Sequence, residues 1–292
     1  MSCSVKIAIA SGKGGTGKTL VATNLTYALN NAGYDITLVD CDAEEPNAKV
    51  FFDVDLENEI SVKQRVPVID KNACVFCGKC HEYCNYNAIF FLPGMDIINV
   101  VEDLCHSCGA CSVACKYNAI SEKDKEIGTV SYFPISENSL LVEACMNVGV
   151  YSAVPVITKA LDSLNSNRSY IFDSPPGTSC PFIHTVLRAD FVILVTEPTN
   201  FGLHDLKQSV ETLRLMDIPC GVIINRAGIG DNVVFDYLEK ENIDVLMEIP
   251  FEKEIAFYYS WGEIIAKNRQ QWSEELINMF DSICKKYGNS SN

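Results

Sequence analysis

Nine consecutive residues, Ser11-Gly12-Lys13-Gly14-Gly15-Thr16-Gly17-Lys18-Thr19, have the types and spacing to hold a chain of phosphates. The glycines let backbone N–H groups curl inward around phosphate oxygens, and Lys18 can reach the outer phosphates. The Thr19 hydroxyl is placed to ligate Mg²⁺. A second set of residues could hold metal. Cys74, Cys77, Cys80 and Cys84 recur 31 positions later as Cys105, Cys108, Cys111 and Cys115. The repeat runs past the cysteines, with Cys84-Asn85-Tyr86-Asn87-Ala88-Ile89 matching Cys115-Lys116-Tyr117-Asn118-Ala119-Ile120.

The elements that must position these groups follow from hydrophobic patterning. The glycine loop lies between an apolar run, Val5 to Ala10, and a helical stretch, Leu20 to Asn30, the strand–turn–helix context that a phosphate loop needs. Asp35 to Val39 reads as a second strand, ending in Asp40-Cys41-Asp42-Ala43-Glu44-Glu45-Pro46-Asn47. Carboxylates at the C-terminal end of a parallel strand beside a phosphate loop sit where Mg²⁺ and an attacking water are held. Asp40 is expected to support the magnesium shell; the competing role for such aspartates is capping the next helix. Val154 to Asn165 reads as a helix and Tyr170 to Asp173 as a buried strand running into Asp173-Ser174-Pro175-Pro176-Gly177-Thr178. Asp173 is expected to hold Mg²⁺ through water, and Gly177 to offer its N–H to the γ-phosphate and swing when that phosphate leaves. Further strands are expected at Phe191 to Thr196, Cys220 to Ile224 and Val245 to Ile249, with helices at Leu203 to Met216 and Ser273 to Lys286.

Composition narrows the class. At 292 residues, with 48% hydrophobic residues, the chain suits one α/β domain plus something small, and no apolar run is long enough to span a membrane. The first strand begins within a few residues of Met1, which leaves no room for a signal peptide. Fourteen cysteines without an export signal argue for metal ligation in the cytoplasm rather than a disulfide framework. A net charge of −15 argues against a nucleic-acid partner. The last helix has an acidic start rather than a basic face, so core packing is expected of it rather than membrane binding. The predicted architecture is α/β: a doubly wound, mostly parallel sheet over 1–59 and 127–292, with a small inserted α+β domain at 60–126.

Lys13-Gly14-Gly15-Thr16-Gly17-Lys18-Thr19 resembles the deviant Walker A motif of the MinD/ParA family, which includes the nitrogenase iron protein and the Mrp-type iron–sulfur carriers. The resemblance implies an ATPase that cycles between ATP and ADP with Mg²⁺, as a homodimer that sandwiches ATP. Lys13 would then reach the partner's nucleotide, Asp42 would orient the water, Asn225 would bond the adenine edge, and Pro250 would flank the base. Asp173-Ser174-Pro175-Pro176-Gly177 resembles the Mrp branch. Cys180 lies seven residues after Asp173, the offset at which the iron protein carries a cluster ligand, and so is a candidate interfacial ligand; the alternative is an ordinary packed thiol. Cys145 is a weaker candidate companion.

The repeated C-x2-C-x2-C-x3-C spacing resembles bacterial two-cluster ferredoxins, in which the remote fourth cysteine serves the other cluster. That assigns Cys74, Cys77, Cys80 and Cys115 to one [4Fe–4S] cluster, and Cys105, Cys108, Cys111 and Cys84 to the second. Zinc fits less well, because its structural sites pair two separated C-x2-C units. The proline usual after the fourth cysteine is replaced by Asn85 and Lys116. Gly78 and Gly109 suit a backbone folded closely around a cluster, while His81 and His106 read as loop residues. The function expected is a MgATP-hydrolysing dimeric carrier or assembly factor for an Fe–S or mixed-metal cluster, delivering to an acceptor protein. Two alternatives stand beside it: an ATP-gated electron carrier with a redox partner, and a positioning ATPase whose clusters are structural.

Overall fold

The computed structural model describes residues 3–164 and 168–290. In chain order, β1 (Cys3–Ser4) and β2 (Lys6–Ala10) lead into α1 (Lys18–Asn31), β3 (Ile36–Asp40) and β4 (Asn58–Ile69). Next come α2 (Lys79–Glu82), β5 (Ile89–Leu92), β6 (Ile97–Val100), α3 (Ala110–Ala114), β7 (Ile120–Ser136) and β8 (Ser139–Met146). The remainder alternates: α4 (Val154–Asp162), β9 (Ser169–Asp173), α5 (Cys180–Val186), β10 (Phe191–Thr196), α6 (Asn200–Leu215), β11 (Cys220–Ala227), α7 (Val233–Glu241) and β12 (Val245–Pro250). The chain closes with α8 (Lys253–Ser260), α9 (Ile265–Asn268), α10 (Gln270–Tyr287) and β13 (Asn289–Ser290). α4 stops before the expected Asn165, which, like Met1, lies outside the described residues.

Two compact units partition the chain: Met1–Ile60, Val130–Cys145 and Val154–Asn292 form the first, and Ser61–Thr129 with Met146–Ala153 the second. The segment Met146–Ala153 thus belongs to the second unit, although it lies outside the 60–126 expected from sequence.

The first unit is an α/β fold on a mostly parallel sheet of order β12-β11-β10-β2-β9-β3-β8, followed by the parts of β7 and β4 that belong to this unit. The seven strands from β12 to β8 pair in parallel. β3, β9 and β10 are buried at every position, which is why they read as unbroken apolar runs rather than alternating ones. β2 sits between β9 and β10, so successive connections leave it in opposite directions, and the crevice outside its C-terminal end is the natural ligand position. The residues that end β2, β3, β9, β10, β11 and β12 therefore gather at one edge of the sheet. α1 buries most of its length against the sheet and against α10, whose inner face is Trp272, Leu276, Met279, Phe280 and Ile283. Among the described residues no helix is long and apolar enough to cross a membrane. Cys284, also on that inner face, is disulfide-bonded, an exception to the expected reliance on metal ligation alone.

The second unit repeats one pattern twice. The end of β4, a cysteine loop, α2 and β5 correspond, 31 residues on, to β6, a second cysteine loop, α3 and the start of β7. The backbone repeats with the sequence: positive φ occurs at Phe76 and Ser107, at Gly78 and Gly109, and at Asn87 and Asn118. The two copies cross over. Asp70 N–H donates to Ala119 O and Val101 N–H donates to Ala88 O, both at 2.8 Å, so each copy's first strand pairs with the other copy's second.

Phe280 gives the core a direct test. It is fully buried and meets the Tyr34 ring edge-on at 5.4 Å, while the Tyr34 hydroxyl donates to Asp281 at 2.8 Å. Phe280→Ala is expected to destabilise the first unit by about 3–5 kcal/mol. Urea denaturation followed by far-UV circular dichroism, with the half-buried Ile277→Ala as the milder control, checks the size and order of the two losses.

Candidate functional site

At the sheet edge of the first unit, the loop after β2 is shaped by its glycines. Gly15 and Gly17 have φ of 75° and 104°, open to glycine but strained for other residues. A Cβ on Gly17 would also strike the Asn225 amide, and one on Gly12 would strike the Asp205 backbone of α6. Lys18 is 6% exposed, and Asp173 is 1% exposed. Burial pulls the Lys18 pKa down, while Asp173, Asp42 and Asp40 push it back up. The Thr19 hydroxyl donates to Asp173 Oδ2 at 2.6 Å. Among the described residues, Asp173 Oδ1 and Thr16 Oγ1 are buried without a hydrogen-bond partner. An unsatisfied carboxylate oxygen beside the Thr19 hydroxyl fits a hydrated divalent cation, and an unsatisfied hydroxyl in a glycine cradle fits a phosphate oxygen.

The carboxylates divide their labour. Asp40 accepts from the N–H groups of Asp42, Asn47 and Ala48 at 2.9–3.1 Å, so both of its oxygens hold the loop that follows β3. Its contribution to the expected magnesium shell is thus indirect, through that loop. Burial raises Asp42 to about 6, against the pull of Lys18. Burial likewise raises Asp173 to about 7, opposed by the Thr19 hydrogen bond and by Lys18. Gly177, at φ 84°, donates its N–H to Ser11 O at 3.0 Å, which links the loop after β9 to the phosphate loop.

Asn225 takes a bracing position. Its Nδ2 donates to Thr16 O at 2.7 Å and its Oδ1 accepts from Arg226 N–H at 2.9 Å. The same residue lines a cavity with Gly15, Gly17, Leu20, Pro250, Phe251 and Tyr259, an apolar slot next to the phosphate loop with the size class of a planar base. Two residues here were missed in the sequence. Glu197, just after β10, bridges Lys13 (3.5 Å) and Arg226 (2.6 Å), so Lys13 is paired within its own chain. Tyr259, from α8, lines the same cavity with its hydroxyl close to Thr19. No local pattern marks either residue; their partners are far away in sequence. Cys180 starts α5 and is exposed, and Cys145 ends the inner part of β8.

In the second unit the eight repeated cysteines sort into two cavities. One is lined by Cys74, Cys77, Cys80 and Cys115; the other by Cys84, Cys105, Cys108 and Cys111. The two are alike in size, each a small cavity of about 20 Å³. Phe76 N–H donates to Cys74 Sγ and Ser107 N–H to Cys105 Sγ, both at 3.4 Å, while Ala88 N–H donates to Cys84 Sγ at 3.3 Å. Burial raises the thiols of Cys80, Cys105 and Cys111. Among the described residues no three His, Cys, Asp or Glu side chains converge to hold a single ion. His81 is exposed and contacts Ile89 O, but His106 is half-buried, stacked on Tyr86 at 3.7 Å and close to Tyr151.

The pH response of the first unit follows from the two raised carboxyls. Asp42 and Asp173 hold their protons more tightly when folded than at the unfolded value of about 3.9. The stability they contribute is therefore present at low pH and is lost as pH rises through about 6 and about 7. The thermal midpoint of the nucleotide-free protein should fall between about pH 4 and about pH 7, and fall less in Asp173→Asn. A midpoint that rises over this window, equally in both proteins, contradicts the assignment.

Known proteins agree with this geometry. The model of the CobQ/CobB/MinD/ParA nucleotide-binding domain matches residues 7–264. An uncharacterised protein of Methanocaldococcus jannaschii is 32% identical over 289 residues, covering 95% of this chain and 98% of its own. An iron–sulfur cluster carrier protein of Pyrococcus horikoshii is 26% identical over 309 residues, covering 95% and 87%. The structure of the septum site-determining protein MinD of Pyrococcus horikoshii, complexed with Mg-ADP, has the same fold, with a TM-score of 0.58 at 20% identity and 96% of each chain covered. Matched by the family model over most of its length, the chain belongs to the CobQ/CobB/MinD/ParA nucleotide-binding family.

Proposed function

We propose that the protein is a MgATP-hydrolysing dimeric iron–sulfur protein in which nucleotide state controls the acceptance or release of an Fe–S or mixed-metal cluster. The observation that carries the reading is the sorting of the eight cysteines into two cavities, each holding three cysteines of one copy and the fourth of the other. This is the crossed arrangement of two-cluster ferredoxins, and it supports reading the second unit as an inserted ferredoxin-like domain with two resident [4Fe–4S] groups. A cubane takes one thiolate at each of four corners, so its cysteines need not converge on one point. When bound, such groups supply one-electron redox chemistry.

At the nucleotide site, Thr19 and Asp173 would hold Mg²⁺, with Asp173 Oδ1 and Thr16 Oγ1 finding the partners they lack. Lys18 neutralises phosphate charge, and Asp42, half-buried and linked to Lys18 by charge, orients the attacking water. Lys13 must leave Glu197 to reach a partner's nucleotide, and Arg226 remains to satisfy that carboxylate. Cys180, exposed at the start of α5 shortly after Gly177, is the candidate ligand for the transferred cluster. The cluster-carrier relative supports this cargo.

A second reading, an ATP-gated low-potential electron carrier, draws on the same cavities, since resident groups suit electron transfer. The acceptor or redox partner is a protein in either case.

Transfer of labelled iron and sulfide from the anaerobically reconstituted chain to apo-ferredoxin tests the proposal. MgATP should change the transfer rate by about tenfold or more, a 1.4 kcal/mol effect. Cys180→Ser should lose the transferable fraction while retaining the resident iron, and Lys13→Ala should lose the nucleotide effect. If all the iron stays bound and a redox titration shifts with MgATP instead, the electron-carrier reading replaces this one. Equal transfer with and without nucleotide, in a protein whose potentials do not respond to it, defeats both.

A further inference from the structure

The repeat that builds the second unit is broken at one position, and the break gives the two cysteine cavities different walls. Phe91 and Glu122 stand 31 residues apart and occupy the same place in the two copies. A Cβ on Gly78 would meet the Phe91 ring at 2.6 Å, and one on Gly109 would meet Glu122 Oε1 at 3.9 Å. The wall around Cys74, Cys77, Cys80 and Cys115 includes Gly78, Ile69, Val75, Ile98 and Ile120, and its one charged side chain, Lys79, is paired with Glu82. Around Cys84, Cys105, Cys108 and Cys111 the wall instead includes both Arg65 and Glu122.

These two charges are paired with each other, and the Arg65 backbone is tied to the cysteine loop. Arg65 Nε lies 3.2 Å from Glu122 Oε2. The Arg65 N–H donates to Ser107 Oγ at 3.0 Å, and the Ser107 hydroxyl donates to Arg65 O at 2.7 Å, which ties Arg65 to the cysteine loop itself. Ser112 Oγ donates to Glu122 Oε1 at 3.3 Å, and Gln64 Nε2 donates to Cys105 O at 3.1 Å. Adding one electron to a thiolate-bound group adds one negative charge to the cavity. A mostly apolar wall disfavours that charge, whereas N–H donors at the thiols stabilise it. Among the described residues, backbone N–H groups donate to two thiols of the Arg65 cavity, Cys84 and Cys105, but to Cys74 alone in the other.

We propose that the group held by Cys84, Cys105, Cys108 and Cys111 has the higher reduction potential of the two, and that Arg65 and Glu122 set it. Arg65 raises it and Glu122 lowers it. A single electron delivered to the second unit therefore rests in this cavity rather than in the one beneath Phe91. The inference depends on the reading of two resident [4Fe–4S] groups.

The test is an EPR-monitored redox titration of the anaerobically purified full chain, with dithionite as the one-electron source, preceded by iron and sulfide analysis. Two separate midpoints are expected in the unmodified protein. Arg65→Gln should lower the higher midpoint and Glu122→Gln should raise it, each leaving the lower midpoint where it was. A tenfold change in where the electron rests corresponds to about 59 mV. Two coincident midpoints in the unmodified protein overturn the proposal without any variant. Variants that shift both midpoints together, or only the lower one, overturn it as well. Iron and sulfide too low for two four-iron groups would instead overturn the underlying reading of the second unit.

Discussion

A lysine ammonium held almost out of water is the constraint around which the first unit is arranged. Lys18 is 6% exposed, and burial pulls its pKa down. Asp173, Asp42 and Asp40 supply the opposing charge, yet burial raises each of them, so the compensation is incomplete. Such a cluster is costly to keep and would be less so as plain apolar packing. Anionic phosphates at Lys18 and a divalent cation at Asp173 are the charges it lacks. The hydrogen bonds around the cluster hold its shape without that ligand: Thr19 to Asp173, Gly177 to Ser11, and Asn225 to Thr16.

The same constraint explains which parts of the fold could be read from the sequence. β9 and β10 are buried on both faces and appear as continuous apolar runs; the phosphate loop announces itself through glycines whose positive φ and close contacts exclude side chains. The 31-residue repeat was equally visible, because cysteine spacing and backbone conformation repeat together. β7 was not, since its 17 residues carry charged and apolar side chains with no sustained period. Glu197 and Tyr259 were invisible for another reason. Their roles come from Lys13, Arg226 and Thr19, and only the folded sheet brings those together. Asn225 shows the limit of a resemblance: expected at the adenine edge, its amide braces the phosphate loop, and the residue also lines the neighbouring cavity.

The two units differ in what keeps them folded. The first has a continuous apolar core running from β2 through α1 to α10. In the second, the described core cluster is Cys80, Ile89 and Ile98, with Cys74 and Cys111 among the side chains packed on it. On the proposed function, this unit draws stability from the groups its cysteines hold. Loss of a ligand cysteine then removes fold and chemistry together, and neither can be inferred from the loss of the other. Arg65 and Glu122 escape this ambiguity. They touch a cavity wall without being thiol ligands, and Arg65 is largely exposed, so changing them alters the charge at the cavity while leaving the cysteine framework in place.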